Sequence, residues 1–143
     1  MTEHHGSCHC GRIHLTLRDE PTEVSECNCS ICRRTAGLWH YCSPDLISVE
    51  GEGVAYQQGD RSLDTWHCPD CGCTTHWTAT DPTYARMAIN LRMFEPDFWR
   101  DLPRKLVDEE FQQDWNVLQP LAERWYAQVN DVQPIVQVLA KRL

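Results

Sequence analysis

Apolar and polar residues alternate in short runs through the first hundred positions. In "RIHLTL" the apolar residues Ile13, Leu15 and Leu17 fall on one face, the period-two pattern of a half-buried strand. "LISVE" and "VAYQQ" read as two further strands, with Gly51-Glu52-Gly53 as the turn between them. "LDTWHC" follows the turn "QGDR", and "CTTHWTA" and "ARMAINL" complete the set. Ala85, Met87, Ile89 and Leu91 alternate in the last strand, and Asp81-Pro82 marks the loop before it. Short strands at this spacing predict antiparallel sheets rather than a βαβ fold. One helical turn is expected over "ICRRTAG", capped by Ser30 and ended by Gly37.

After Pro96 the pattern changes. "DEEFQQDWNVLQ" and "LAERWYAQV" have helical composition, with Pro120 separating or kinking them. Pro134 is placed to open a last helix, "PIVQVLAKRL", whose Lys141 and Arg142 suit the negative end of a helix dipole. The expectation is one domain over residues 1–143, with a β-rich core over about 5–98 and a helical tail over about 99–143. An amphipathic tail of this kind fits a monomer or a homodimer.

Composition narrows the chemistry. At 143 residues the chain buries about 70% of its unfolded surface and needs no cross-links merely to fold. It has no run of 18 or more apolar residues, so no membrane helix is expected, and "MTEHHGSCHC" lacks the apolar segment of a secretory signal. The expected location is cytoplasmic. In a reducing compartment, nine cysteines point to metal binding or catalysis rather than to disulfides. A formal net charge of -8 repels phosphate backbones, so no nucleic-acid partner is expected.

The cysteines fall in three clusters. Cys8 and Cys10 lie two apart just before a strand, where side chains at i and i+2 point the same way. Cys68 and Cys71 form a CxxC knuckle followed by Gly72, which allows a tight turn. Together these half-sites make a four-thiolate structural zinc site, although iron also suits four thiolates. Cys27, Cys29 and Cys32 converge as a separate trio. Three protein ligands leave a zinc position open, the arrangement of catalytic sites. A fourth ligand from Cys42, His40, Cys73, His67 or His76 closes it instead; spacing does not choose between the two. Arg33 and Arg34 follow the trio as an anion-binding pair or as a solvated one. The six tryptophans read as core and platform residues.

The segments "GSCHCGRIHLTL", "CNCSICRRTAG", "WHCPDCGCTTHW" and "AINLRMFEP" resemble, in that order, the glutathione-dependent formaldehyde-activating enzyme family, which includes the centromere protein V-like proteins. The resemblance covers roughly residues 5 to 98. It implies a mainly β, Mss4-like β-tent of small antiparallel sheets. It also implies a structural zinc on Cys8, Cys10, Cys68 and Cys71, and a second zinc at Cys27, Cys29 and Cys32. The implied activity is that of a carbon–sulfur lyase, forming S-(hydroxymethyl)glutathione from formaldehyde and glutathione. On this reading the second zinc takes the substrate thiol as its fourth ligand. Arg33, Arg34 or Arg92 pairs with glutathione carboxylates, and His40 relays a proton. Cys42 and Cys73 lie outside the family's seven-cysteine pattern, and either is a candidate to close the second site. The alternative is a non-enzymatic zinc-binding module in which both metals are structural and the chain acts through protein contacts.

Overall fold

In the one-sided run Ile13, Leu15 and Leu17, the two leucines form the buried face of a strand and Ile13 is buried just before it, each residue at most 1% exposed. The computed structural model describes residues 2–107. In chain order its strands are β1 (His4–Ser7), β2 (His14–Leu17), β3 (Val24–Cys27), β4 (Trp39–Cys42), β5 (Ile47–Glu50), β6 (Val54–Gln57), β7 (Leu63–His67), β8 (Thr74–Ala79), β9 (Met87–Asn90) and β10 (Arg104–Val107). Two single-turn α-helices, α1 (Cys32–Thr35) and α2 (Pro96–Trp99), and two 3-10 turns complete the described chain. The strands form a three-stranded sheet, β1-β2-β5, and a seven-stranded sheet, β10-β3-β4-β9-β8-β7-β6. Every pairing is antiparallel except that of β10 with β3. The mainly β architecture expected from the alternation is therefore present.

The structure departs from expectation at three points. Residues 104–107 fall in the stretch expected to be helical, yet they pair as β10 with β3. Pairing is sealed at both ends, by Val24 N–H on the Pro103 carbonyl (2.9 Å) and Asn28 N–H on the Val107 carbonyl (3.2 Å). The remaining helices of the expected tail, from 108 onward, lie outside the described residues. At α1, Ile31 occupies the N-cap without a side-chain cap, and Ala36 rather than Gly37 takes the left-handed conformation (φ 52°). Strand β9 is buried along its whole length rather than on one face. Its two faces meet different cores, Ile89 in one and Ala88 in the other, so both are covered.

That strand divides two cores. Ile89 belongs with Ile13, Leu15, Leu17, Val24, Leu38 and Leu91, and Cys8 and Cys68 are packed among them. Ala88, its neighbour, belongs with Trp39, Trp77, Cys27 and Cys29. Cross-strand register extends the division: His40, Ile89, His76 and Trp66 stand in one row, and Tyr41, Ala88, Trp77 and Thr65 in the next. Directly opposed residues share a face and successive residues alternate, so the two rows face opposite ways.

Asn90, 1% exposed, locks β9 to its surroundings. Its Oδ1 accepts from the backbone N–H of Leu38 (3.1 Å) and of Arg92 (3.2 Å), and its Nδ2 donates to the Thr74 carbonyl (2.8 Å). Asn90→Ala leaves these groups without their partner and is expected to cost about 3 kcal/mol. A urea midpoint equal to that of wild type would show that water replaces the amide.

Candidate metal centres

The first centre joins two turns of like design. Cys8 accepts the N–H of Gly11 on its carbonyl (3.0 Å), and Cys68 accepts that of Gly72 on its own (2.9 Å). Gly11 and Gly72 both take positive φ, +76° and +73°, a conformation that strains any residue with a Cβ. The turns bring the sulfurs of Cys8, Cys10, Cys68 and Cys71 within 4.8 Å of one another. Cys8 and Cys68 lie 3.6 Å from Cys10, sulfur to sulfur. Four sulfurs held tetrahedrally at about 2.3 Å from zinc stand about 3.8 Å apart, so the cluster fits that ion with a shift of a few tenths of an ångström.

The charges agree with the geometry. Backbone N–H groups of Cys73 and Cys10 bring the Cys71 thiol down to about 5. Cys10 receives an N–H from Arg12, yet burial and the sulfurs of Cys68, Cys8 and Cys71 together push it up to about 12. Against the cost of burial, the Ile13 N–H and the sulfurs of Cys10 and Cys68 lower the Cys8 thiol as well. The cluster therefore favours negative charge at Cys8 and Cys71 and resists it at Cys10, a crowding that a divalent cation relieves. Cys73 belongs to this region: its carbonyl accepts the N–H of Cys68 (2.9 Å), and its thiol is raised by burial and by Cys71.

The second centre lies in the other core. Cys27 closes β3, Cys29 follows in the turn, and Cys32 opens α1. Their sulfurs lie within 4.8 Å of one another, and among the described residues no fourth Cys, His, Asp or Glu joins them at that distance. The N–H of Cys32 points at Cys29 Sγ (3.3 Å), and Trp39 Nε1 donates to Cys32 Sγ (3.2 Å). Gly37 is what permits the latter: a Cβ there meets Trp39 Cε2 and Nε1 at 2.6 Å. Sharing of hydrogen bonds with Cys27 and Cys29, then burial, pushes the Cys32 thiol far up. Three crowded thiols cannot all ionise without a cation, so this centre fits a metal on the same ground as the first.

An aromatic wall borders the trio. Tyr41 meets Trp77 edge-on at 5.8 Å, and the Arg86 guanidinium lies 4.7 Å from the Tyr41 ring centroid. Both rings pack with the trio's core. Trp39, Tyr41, Trp77 and Arg86 carry no motif that marks them; only the alternation of β4 and β8, once paired, puts the rings together.

The other expected site residues are distributed as follows. Arg33 and Arg34 stand exposed on α1 beside Cys32, with Arg34 Nη1 donating to the Ser30 carbonyl (2.6 Å). Arg92 lies over the Trp99 ring (5.3 Å), which packs on the first core. His40 and Cys42 alternate with Trp39 and Tyr41 on β4 and face away from the trio. They come together with Asp19 instead, all three ligand atoms within 4.8 Å. His76 faces away from the trio as well, and His67 ends β7 paired with Val54 and Thr74. The closing ligands considered for the trio are thus placed elsewhere.

His76, 7% exposed, accepts or donates at Nδ1 to Thr75 Oγ1 (2.9 Å) and stacks on Trp66. Burial pushes its pKa down to about 4. The unfolded chain binds this proton near 6.5. Above that value both states are neutral, and stability falls as the pH drops from about 6.5 toward 4. Between pH 7.5 and 5, wild type is expected to lose roughly 2 kcal/mol more than His76→Phe. Denaturation curves at the two pH values check this; parallel losses would refute it.

Comparison with known proteins agrees with these centres. The model of the glutathione-dependent formaldehyde-activating enzyme family matches residues 3–106, a span that holds both cysteine centres. Among solved structures, the crystal structure of a Rhodobacter sphaeroides protein is similar, with a TM-score of 0.59 and 25% identity. The alignment covers 71% of this chain and 99% of that one. No curated protein matches the chain.

Proposed function

The chain belongs to the glutathione-dependent formaldehyde-activating enzyme family, and from that premise we propose that it joins a glutathione-like thiol to formaldehyde or a similar small aldehyde. The reaction is that of a carbon–sulfur lyase run toward synthesis. The substrate sulfur bonds to the carbonyl carbon, the carbonyl π pair moves to oxygen, and the thiol proton ends on that oxygen. Nothing is oxidised or reduced.

The observation that carries this reading is the trio: three convergent sulfurs with no fourth protein ligand among the described residues. Zinc bound there favours the thiolate of an incoming thiol by lowering its pKa. The chain's own residues do the rest. The Trp39 indole N–H draws charge from Cys32 and fixes its direction. Tyr41 and Trp77 give the thiol's carbon chain an apolar wall, and holding thiol and aldehyde together recovers part of the entropy of a bimolecular addition. Arg86 over Tyr41, with Arg33 and Arg34 on α1, offers cations to the carboxylates of a glutathione-like substrate. Arg92 and His40 face other surroundings, so neither has a role in this scheme. The four-thiol centre is structural, and the free thiols belong in a reducing cytoplasm.

The test uses the zinc-loaded full chain with glutathione and isotopically labelled formaldehyde. Exchange between formaldehyde and S-(hydroxymethyl)glutathione, followed by NMR, is expected to speed up in proportion to protein added. Two zinc ions are expected on the two cysteine centres, with the trio's leaving to a chelator before that of the four-thiol centre. Unchanged exchange, with both ions resisting the chelator alike, would favour a non-enzymatic module with two structural metals.

A further inference from the structure

The cluster on the far face of β4 has no part in that reaction. Asp19, His40 and Cys42 offer an oxygen, a nitrogen and a sulfur, all within 4.8 Å of one another. We propose that these three side chains form a third metal site, selective for a divalent transition ion of the zinc or cobalt type.

The backbone builds the cluster from fixed parts. His40 and Cys42 are two apart on β4 and so share a face, held by the pairing of His40 with Ile89 and of Cys42 with Met87. Asp19 comes from the segment after β2. Pairing of β2 with β5 is extended by the Arg18 N–H on the Leu46 carbonyl (2.8 Å). This bond sets the next residue, Asp19, beside the end of β4. Asp19 Oδ2 then lies 2.8 Å from His40 Nε2.

The donor set suits a borderline cation. Imidazole, carboxylate and thiolate together match zinc and cobalt rather than magnesium or calcium, which take oxygen alone. A carboxylate and a thiolate bring two negative charges, which neutralise a dication. The His40 side chain is 12% exposed and that of Asp19 is 37% exposed, so the site is enclosed but has an entry. Asp45, held by the Ser43 hydroxyl, stands near Cys42 and adds to the negative field. On binding, the Cys42 proton passes to solvent, and the ion replaces the hydrogen bond between Asp19 and His40. His40 then presents the Nε2 lone pair and carries its hydrogen on Nδ1.

The full chain loaded with Co²⁺ tests this, with bound metal counted after removal of excess ion. His40→Gln and Cys42→Ser are each expected to hold one ion fewer than wild type, with circular dichroism unchanged. They are also expected to lose part of the cobalt absorption. Because the count is a difference from wild type, it stands whether or not the cysteine trio binds an ion. Equal counts in folded variants overturn the proposal. Should Cys42→Ser fail to fold, Asp19→Asn at its partly exposed position carries the test. It is expected to weaken one of the bound ions at least tenfold in chelator competition, and unchanged affinity of every ion overturns the site.

Discussion

Cys68→Ser is expected to leave a chain that no longer melts cooperatively near 37 °C. Cys68 is fully buried in the first core and sits 3.6 Å from Cys10, 58 positions earlier. A structural zinc site is worth about 10–16 kcal/mol in small zinc domains. The whole stability of a domain is about 5–15 kcal/mol, so losing the ion removes most or all of it. Serine also brings a weaker metal ligand and a hydroxyl into the buried core that holds Ile13, Leu15 and Phe94. Circular dichroism melts with metal counts on the same sample measure the effect. A wild-type melting temperature with full metal content would sink the structural role.

Cys29→Ser is expected to behave in the opposite way. It sits in the trio, where α1 is one turn long and the surrounding core rests on Trp39, Trp77 and Ala88. The four-thiol centre is untouched, so the melting temperature should move by only a few degrees. Changing a residue that only hydrogen-bonds a metal ligand costs about 10–100-fold, so loss of a ligand itself should lower exchange by about 100-fold or more. Rate and melting temperature measured on one preparation separate the two effects. Equal unfolding of Cys29→Ser and Cys68→Ser would make the trio a second structural site.

Much of this site was legible as spacing. CxC, CxxC and the trio are local patterns, and their convergence follows from turns of a few residues. The face of β2 was equally plain, because Leu15 and Leu17 are buried while His14 between Ile13 and Leu15 is exposed. What stayed hidden depends on long-range register. Nothing near Val24 or Arg104 reveals that β3 and β10 pair in parallel, since these register partners lie 80 positions apart. The alternation of β9 misled because both of its faces are covered. His40 and Cys42 were natural candidates for the trio by proximity in the chain. Alternation along β4 sends them to the other side once Trp39 is bonded to Cys32. A cation beside the trio could be guessed from charge, but Arg86 is recognisable only when Tyr41 is seen beneath it.

The pairing of β10 with β3 also sets an order of events during synthesis. Cys27 is the last residue of β3, and its partner in the ladder is Val107. A chain emerging from the ribosome at about 5–20 residues per second makes β10 roughly 4–16 seconds after β3. The four-thiol centre has all its ligands once residue 71 has appeared, whereas the trio waits for its flanking strand. The nascent chain therefore passes through an interval in which its structural centre can close while three other thiols stand open to oxidants and stray metal.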